Sequence, residues 1–306
     1  MKLNLYTSNI KKALVHIALP CARFYIRYSP FDIFKQFLWS YFYWRDYHYC
    51  VRTRFGTRMK GRARDLVQGR IYYFGIWEPN LSFFIVNRLR GGSGRTFVDV
   101  GANVGYYSLL AAKLLTDGRV VAIEAFPSIH KTLVANVKLN KFANIRTVAQ
   151  AATDKKCHIT MFSGGPLNEG ATSSAESRVN SSSVVVEGMP LSEILADDEI
   201  RTVRLIKIDV EGAEHSVIKG MESMLSKLPS DAEIVVEISP SEIGEKNLIE
   251  LFSIFKKSGY FPYTIKNIYV PNYYLFSLKI ERPIRMKEIP THGVDIVFSR
   301  MDAEYL

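Results

Sequence analysis

Residues 99–105, DVGANVG, set an aspartate, two glycines and an asparagine between an apolar run, TFVDV, and the helix-forming YYSLLAAKLL. Gly101 permits a tight strand-to-helix turn, and Gly105 is expected to permit close approach of helix and ligand. The dinucleotide pattern GxGxxG is broken, because its third glycine would fall on Tyr106, and the phosphate pattern GxxxxGK[ST] is absent. Asp99 at a strand end makes pyrophosphate a poor guest and suits a cation. A second acid, Glu124, ends the run VVAIEA nineteen residues past Gly105. At about 20 residues' spacing such an acid accepts hydrogen bonds from ribose hydroxyls in doubly wound folds. A nucleoside that carries positive charge satisfies both acids. S-adenosylmethionine, with an ammonium and a sulfonium, is such a nucleoside. Ala152 and Asp154, in AQAATDKK, are placed to border its adenine ring.

A second reactive group follows RLIKIDV, which ends a strand at Asp209. The helix expected next, through EGAEHSVIKGMESML, has a core stripe of Ala213, Val217, Ile218, Met221, Met224 and Leu225. Glu211 and His215 stand four apart and are expected to approach each other. Glu211 and Glu214 also favour the positive end of a helix. Glu237 ends EIVVEIS, the next strand, and falls beside Asp209 in the expected strand order. Methyl transfer to a hydroxyl needs alignment and a base, since an aliphatic alcohol does not ionise at neutral pH. His215 or Asp209 is the expected base, with Glu211 or Glu237 orienting it or the acceptor. A magnesium site on Asp209, Glu211 and Glu237 is the mechanistic rival; no strict metal-ligand spacing supports it, and no metal is expected.

The elements that must hold these groups alternate. Strands are expected at 96–100, 119–124, 145–149, 203–209, 233–238, 260–268 and 294–300, and helices at 104–115, 128–140, 190–196, 212–226 and 241–257. Apolar strands separated by amphipathic helices indicate an α/β fold with a mostly parallel sheet covered on both faces. A helix over 78–90 opens with Pro79, and GGSG at 91–94 is a turn. Weak alternation through RDLVQGRIYYFG, with its central glycine, predicts a β-hairpin within 51–75. The polar stretch 163–183 predicts a substrate-facing flap.

The chain has 306 residues and 47% apolar content, enough for a full core. Its net charge is +10, and residues 1–60 hold eleven Lys and Arg against Asp32 and Asp46. The same residues hold fifteen aromatics, so the basicity and the rings belong to one N-terminal segment. A helical layer packed on the catalytic domain, or contact with an anionic membrane surface, accounts for that combination better than nucleic acid does. Three cysteines without a CxxC, and no run of 18 apolar residues, point to a reducing cytoplasm and no membrane span.

FVDVGANVGYYSLLAA, AIEAFPSIHKTLVANVKLN, PLSEIL and LIKIDVEGAEHSVIKGM resemble the signature segments of FkbM-type methyltransferases, and FGIWEPNLSFFI resembles that family's entry segment. The resemblance runs over roughly 70 to 300. It implies a seven-stranded Rossmann-like methyltransferase fold and O-methylation of a saccharide, lipid-linked glycan or polyketide-like hydroxyl. By position it makes Asp99, Gly101, Asn103 and Gly105 the cofactor loop and Glu124 the ribose acid. Asp209, Glu211, Glu214 and His215 become the cluster after the fourth strand, and Glu78 of WEP reaches towards the cofactor. The expected organisation is an extension over 1–60, an entry segment over 61–94 and the core over 95–306. An RNA-directed methyltransferase and a non-catalytic membrane-associated module that retains the fold are the alternatives. A peripheral place at the inner face of the membrane is the expectation attached to residues 1–60.

Overall fold

The computed structural model describes residues 18–43, 45–162, 183–276 and 278–306. Residues 18–28 form α1, followed by α2 (Lys35–Phe42), the antiparallel pair β1 (His48–Arg52) and β2 (Arg58–Arg62), α3 (Leu66–Phe74) and α4 (Pro79–Leu89). The sheet begins with β3 (Thr96–Val100), α5 (Tyr106–Leu114), β4 (Arg119–Ile123), α6 (Pro127–Asn140) and β5 (Ile145–Val148). A side sheet follows, from β6 (Ala151–Thr153), β7 (Cys157–Phe162) and β8 (Ser183–Pro190). Short helices α7 (Leu191–Ile194) and α8 (Asp197–Thr202) lead into β9 (Val203–Ile208), α9 (Glu214–Met221) and β10 (Glu233–Ile238). Last come α10 (Pro240–Ile243), α11 (Glu245–Lys257), β11 (Phe261–Ile265), α12 (Pro271–Leu275), β12 (Ile284–Arg285) and β13 (Val294–Ser299).

The main sheet runs β12-β11-β13-β10-β9-β3-β4-β5. Pairs β3–β4, β4–β5, β3–β9 and β9–β10 are parallel, and β13 enters antiparallel between β10 and β11. This is the expected Rossmann-like arrangement of seven strands, with the two-residue β12 added at one edge. The order reverses at β3, so the crevice beyond the carboxyl ends of β3 and β4 is the natural ligand position.

Alternation along the strands builds two cores. Phe97, Leu205, Val235 and Val297 face α3, α4, α5 and the N-terminal helices. Val98, Ile206, Ile234, Val236 and Ile296 face the layer that contains Val217, Ile218, Leu251 and Phe255 of α9 and α11. Burial on both faces explains why β3 has no exposed position.

The structure corrects two local expectations. RDLVQGRIYYFG does not form a hairpin; the hairpin is β1–β2, and this stretch supplies α3. Asp65 caps the helix by accepting from the Gln68 N–H at 2.9 Å, and Gly75 ends it at φ 72. The central Gly69 marks a close contact instead of a turn, since a Cβ there would stand 2.5 Å from the Ala63 carbonyl oxygen. The side sheet was not foreseen at all, and the helix expected over 241–257 breaks at Gly244, φ 79. The flap stretch, from 163 to 182, lies outside the described residues, as do residues 1–17. The boundary expected after residue 60 falls inside β2, and α1 and α2 share one apolar core with α3, α4 and α5.

Candidate active site

Beyond the carboxyl ends of β3, β4, β9 and β10 lies a cavity of about 630 Å³. That is room for a nucleoside cofactor and part of an acceptor. On its β3–β4 side the turn follows Val100 directly. Gly101 has φ 78, and a Cβ on it would fall 1.8 Å from the Asp209 carbonyl oxygen. Only glycine lets the end of β3 cross the end of β9 so closely. Asn103 is also left-handed, φ 51, and its Oδ1 accepts from the Val104 N–H at 2.8 Å. Glu124 locks the turn from the next strand: its Oε2 accepts from Asn103 N–H and its Oε1 from Phe126 N–H, both at 2.9 Å. Burial pushes this carboxyl up to about 7 against the pull of those two N–H groups. Each oxygen keeps a further lone pair for a diol.

Asp99, Gly105 and Asp154 stand elsewhere than expected. Asp99 is fully buried and off the cavity wall; its Oδ2 accepts from Ser108 Oγ at 2.5 Å, and its Oδ1 is without a hydrogen-bond partner. Gly105 does not line the cavity. A Cβ there would reach Leu133 at 2.6 Å, so the small residue serves the packing of α5 on α6. Asp154 is exposed and accepts from Ser216 Oγ at 3.2 Å, tying the turn after β6 to α9, while Ala152 does line the wall. Gly101, Asn103, Glu78 and Glu124 line it as well.

The β9–β10 side is a cross-strand row of charge. Asp99 pairs in register with Lys207 across β3–β9, and Glu237 with Asp295 across β10–β13. All four are in phase with the core positions beneath α4 and α5. Lys207 is buried, 2.7 Å from Asp209 Oδ2, with its ammonium 5.0 Å from the centre of the Tyr107 ring. Burial opposes that charge, but Asp209, Asp99 and Glu78 more than compensate and hold the lysine protonated. Burial likewise opposes charge on Asp209, yet Lys207 and a hydrogen bond from Glu237 keep it below the ordinary carboxyl range. Glu237 bears the proton of that pair: the Asp209 charge and burial push it up to about 12. Asp295 is raised too, by burial and then by Glu78.

Glu78 roofs the row from the entry to α4. It sits at φ 39 and accepts from Tyr107 at 2.5 Å and Tyr269 at 2.7 Å, with its carboxyl raised by burial. Lys207, Tyr107, Tyr269 and Asp295 were missed in the sequence, although LIKIDV and VDIV place the two charges in phase with inward positions. This donor set does not suit a divalent ion. The Lys207 ammonium already occupies the cationic position beside Asp209, 2.7 Å from its Oδ2. No cluster of three or more His, Cys, Asp or Glu is arranged for a metal among the described residues.

The third wall comes from the start of α9. Glu211 lines the cavity but precedes the helix at φ 52, so the helical spacing expected between it and His215 does not apply. His215 also lines the cavity, and its Nε2 lies 3.0 Å from Glu250 Oε2 on α11. Glu214 is a backbone latch off the wall, accepting from the Val210 and Gly212 N–H groups at 3.1 Å each. Ser216, Glu242 and Asn247 add polar groups to this wall.

The donor chemistry fits S-adenosylmethionine: a buried acid for a ribose diol, the small apolar side chains of Ala125 and Ala152, and the negative Asp209. A model of the methyltransferase FkbM domain matches residues 99–262. A curated relative, Methyltransferase 1 of Beauveria bassiana (strain ARSEF 2860), is 23% identical over 165 residues, 47% of this chain. The matched segment spans 65% of that relative's length. Among solved structures, the SAM-dependent O-methyltransferase from Thermotoga maritima is 13% identical, with 84% of this chain and 79% of that one covered and a TM-score of 0.41. TYW2 from M. jannaschii, in complex with AdoMet, is 17% identical over 84% of this chain and 88% of that one, with a TM-score of 0.40.

Proposed function

The chain belongs to the FkbM methyltransferase family, whose methyl donor is S-adenosylmethionine, and from that premise we propose that it methylates a hydroxyl of a saccharide, a lipid-linked glycan or a polyketide-like molecule. The cofactor supplies an electrophilic methyl carbon on a good leaving group. Glu124 holds its ribose, and Gly101, Asn103 and Ala152 frame the nucleoside.

The observation that carries the hydroxyl reading is His215, an imidazole on the cavity wall tethered to a carboxylate. With Nε2–H donated to Glu250, Nδ1 presents its lone pair and accepts the proton of the alcohol as the new bond forms. Asp209 is the weaker base, because Lys207 and the Glu237 proton already stabilise its charge. Its role is electrostatic. Glu211, Glu242 and Asn247, lining the cavity with His215, provide the several hydrogen-bonding groups that a polyol requires.

The test is transfer of labelled methyl from the cofactor to extracted cell glycans and lipids. His215→Ala is expected to lower turnover by about 10²–10⁴-fold with cofactor affinity unchanged by calorimetry. Undiminished turnover removes His215 as the base. Label that persists in a Glu124→Ala protein unable to bind cofactor belongs to another enzyme.

A further inference from the structure

Among the described residues, seven of the seventeen exposed large apolar side chains fall within residues 24–41: Phe24, Tyr28, Phe31, Ile33, Phe34, Phe37 and Tyr41. Each is 55–68% exposed. Single exposed apolar side chains are ordinary on a protein in water, whereas a contiguous group marks an interaction surface.

Its construction is regular. Phe24 and Tyr28 are one turn apart on α1 with ring centres 5.0 Å apart, and Phe37 and Tyr41 repeat this on α2 at 6.2 Å. Phe31, Ile33 and Phe34 occupy the link between the helices. The opposite faces of the same helices, Leu19, Ala22 and Ile26 on α1 and Trp39 and Phe42 on α2, are buried in the core. Helices apolar on both sides have a second apolar environment to meet. Phe34 makes the case sharpest, since it holds a left-handed φ of 65, which costs any bulky residue, and presents its side chain to solvent.

Apart from two paired acids, the charges of the first sixty residues have one sign. Both acids of the first sixty residues are internally paired, Asp32 with Lys35 at 3.1 Å and Asp46 with Arg62 in a two-pronged bridge. Arg45 lies 5.2 Å from the Tyr41 ring centre, so a guanidinium flanks the exposed rings of α2, whereas the Arg27 head group turns inward and donates to the Arg52 carbonyl oxygen at 2.7 Å. Residues 1–17 add three lysines and no acid to the sequence. A second copy of so basic a surface would be repelled. Ile33 and the phenyl rings at the tip offer nothing to phosphate, which weighs against nucleic acid.

We infer that residues 24–41 are an interfacial docking surface for an anionic lipid bilayer, with the α1–α2 link inserted at headgroup depth and the Arg45 guanidinium and the N-terminal lysines on lipid phosphates. The surface is joined to the active site by packed rings. Trp39 packs on Phe74 at 4.9 Å and Phe74 stacks on Tyr274 at 5.1 Å; Arg70 lies over the Tyr274 and Trp77 rings, and Trp77 packs on Tyr269 at 5.5 Å on the cavity wall. Docking through α1 and α2 therefore holds the cavity close to the bilayer. This inference stands whatever hydroxyl the enzyme methylates.

Co-sedimentation of the full chain with vesicles tests it, using phosphatidylcholine alone and phosphatidylcholine with phosphatidylglycerol in equal parts. Binding is expected to the anionic vesicles and to weaken with added salt. Each of Phe31→Ser, Phe34→Ser and Phe37→Ser is expected to lower partitioning roughly tenfold, with cofactor affinity unchanged. Phe34→Asn guards against misfolding, because asparagine tolerates the left-handed backbone while lacking the ring. Absence of binding to anionic vesicles, equal binding to both vesicle types, or variants that sediment like the parent overturns the proposal. So does a dimer, or RNA retention, that depends on these same rings.

Discussion

The two halves of the cavity hold their acids by different means. After β3 and β4, Glu124 is fixed by two backbone N–H groups, so its position follows from the turn itself. After β9 and β10, Lys207, Asp209 and Glu237 are fixed by one another, and Asp99, Asp295 and Glu78 close around them. A backbone-held acid keeps its place when a neighbour is replaced, and its charge depends on pH near neutrality. A mutually held cluster settles on one distribution of protons around one ammonium, and loss of any member redistributes it.

Replacing Lys207 tests that contrast most severely. Lys207→Met leaves Asp209 and Asp99 buried without their shared cation. Breaking a buried pair in this way costs about 3–5 kcal/mol, measurable by urea unfolding. The carboxyls then have raised pKa values, and a raised acid stabilises below its unfolded value and loses that contribution as pH rises. The deficit of the variant is therefore expected to grow from pH 5 to pH 8. A small, pH-independent deficit would mean that the row is not coupled.

The same contrast explains what the sequence disclosed. Strand and helix positions in the core were legible because period and length distinguish them, and Glu124 because its spacing from the glycine turn is fixed by one strand–helix–strand unit. Of the five residues expected at the reactive face, Asp209, Glu211, His215 and Glu237 line the cavity, and Glu214 does not. Lys207 and Asp295 were hidden, since their partnership depends on strand order and register, which alternation within a strand does not encode. Glu250, which meets His215, comes from α11, thirty-five residues further on. Asp99 and Gly105 were misjudged for a related reason. A turn motif names the residues that shape the turn without saying which of them face the ligand. Gly69 shows the same ambiguity: a glycine demanded by close packing reads like one demanded by a turn.

On the backbone-held side, the expected effect is a pH dependence of cofactor affinity. Glu124 in the folded protein is pushed up to about 7 by burial, and only its charged form accepts both ribose hydroxyls. Affinity measured by calorimetry should rise with pH and level off above that value, with about a tenfold gain between pH 6 and pH 8. Stability has the opposite sign, because the raised acid favours folding below its unfolded value and loses that contribution as pH climbs through about 7. Glu124→Gln should weaken binding and flatten the profile. A profile that persists in this variant assigns the titration to another group, and Glu214, also pushed up to about 7 by burial, is the control to examine next.

The smallest effect separates orientation from chemistry at His215. Glu250 is half-buried, and the proton shared with His215 holds its carboxyl below the ordinary range. Glu250→Gln retains an acceptor for Nε2–H but removes the charge. A pair with its carboxylate partly in water is partly screened, so turnover should fall only about threefold. The pattern is diagnostic. A tether that orients the imidazole for chemistry lowers kcat while KM and cofactor affinity stay as in the parent. A merely structural tether would instead lower the unfolding midpoint together with the rate, and Glu250→Asp would then fail to restore it. Against Lys207→Met the contrast is complete, for there the damage is to the fold and is read without substrate.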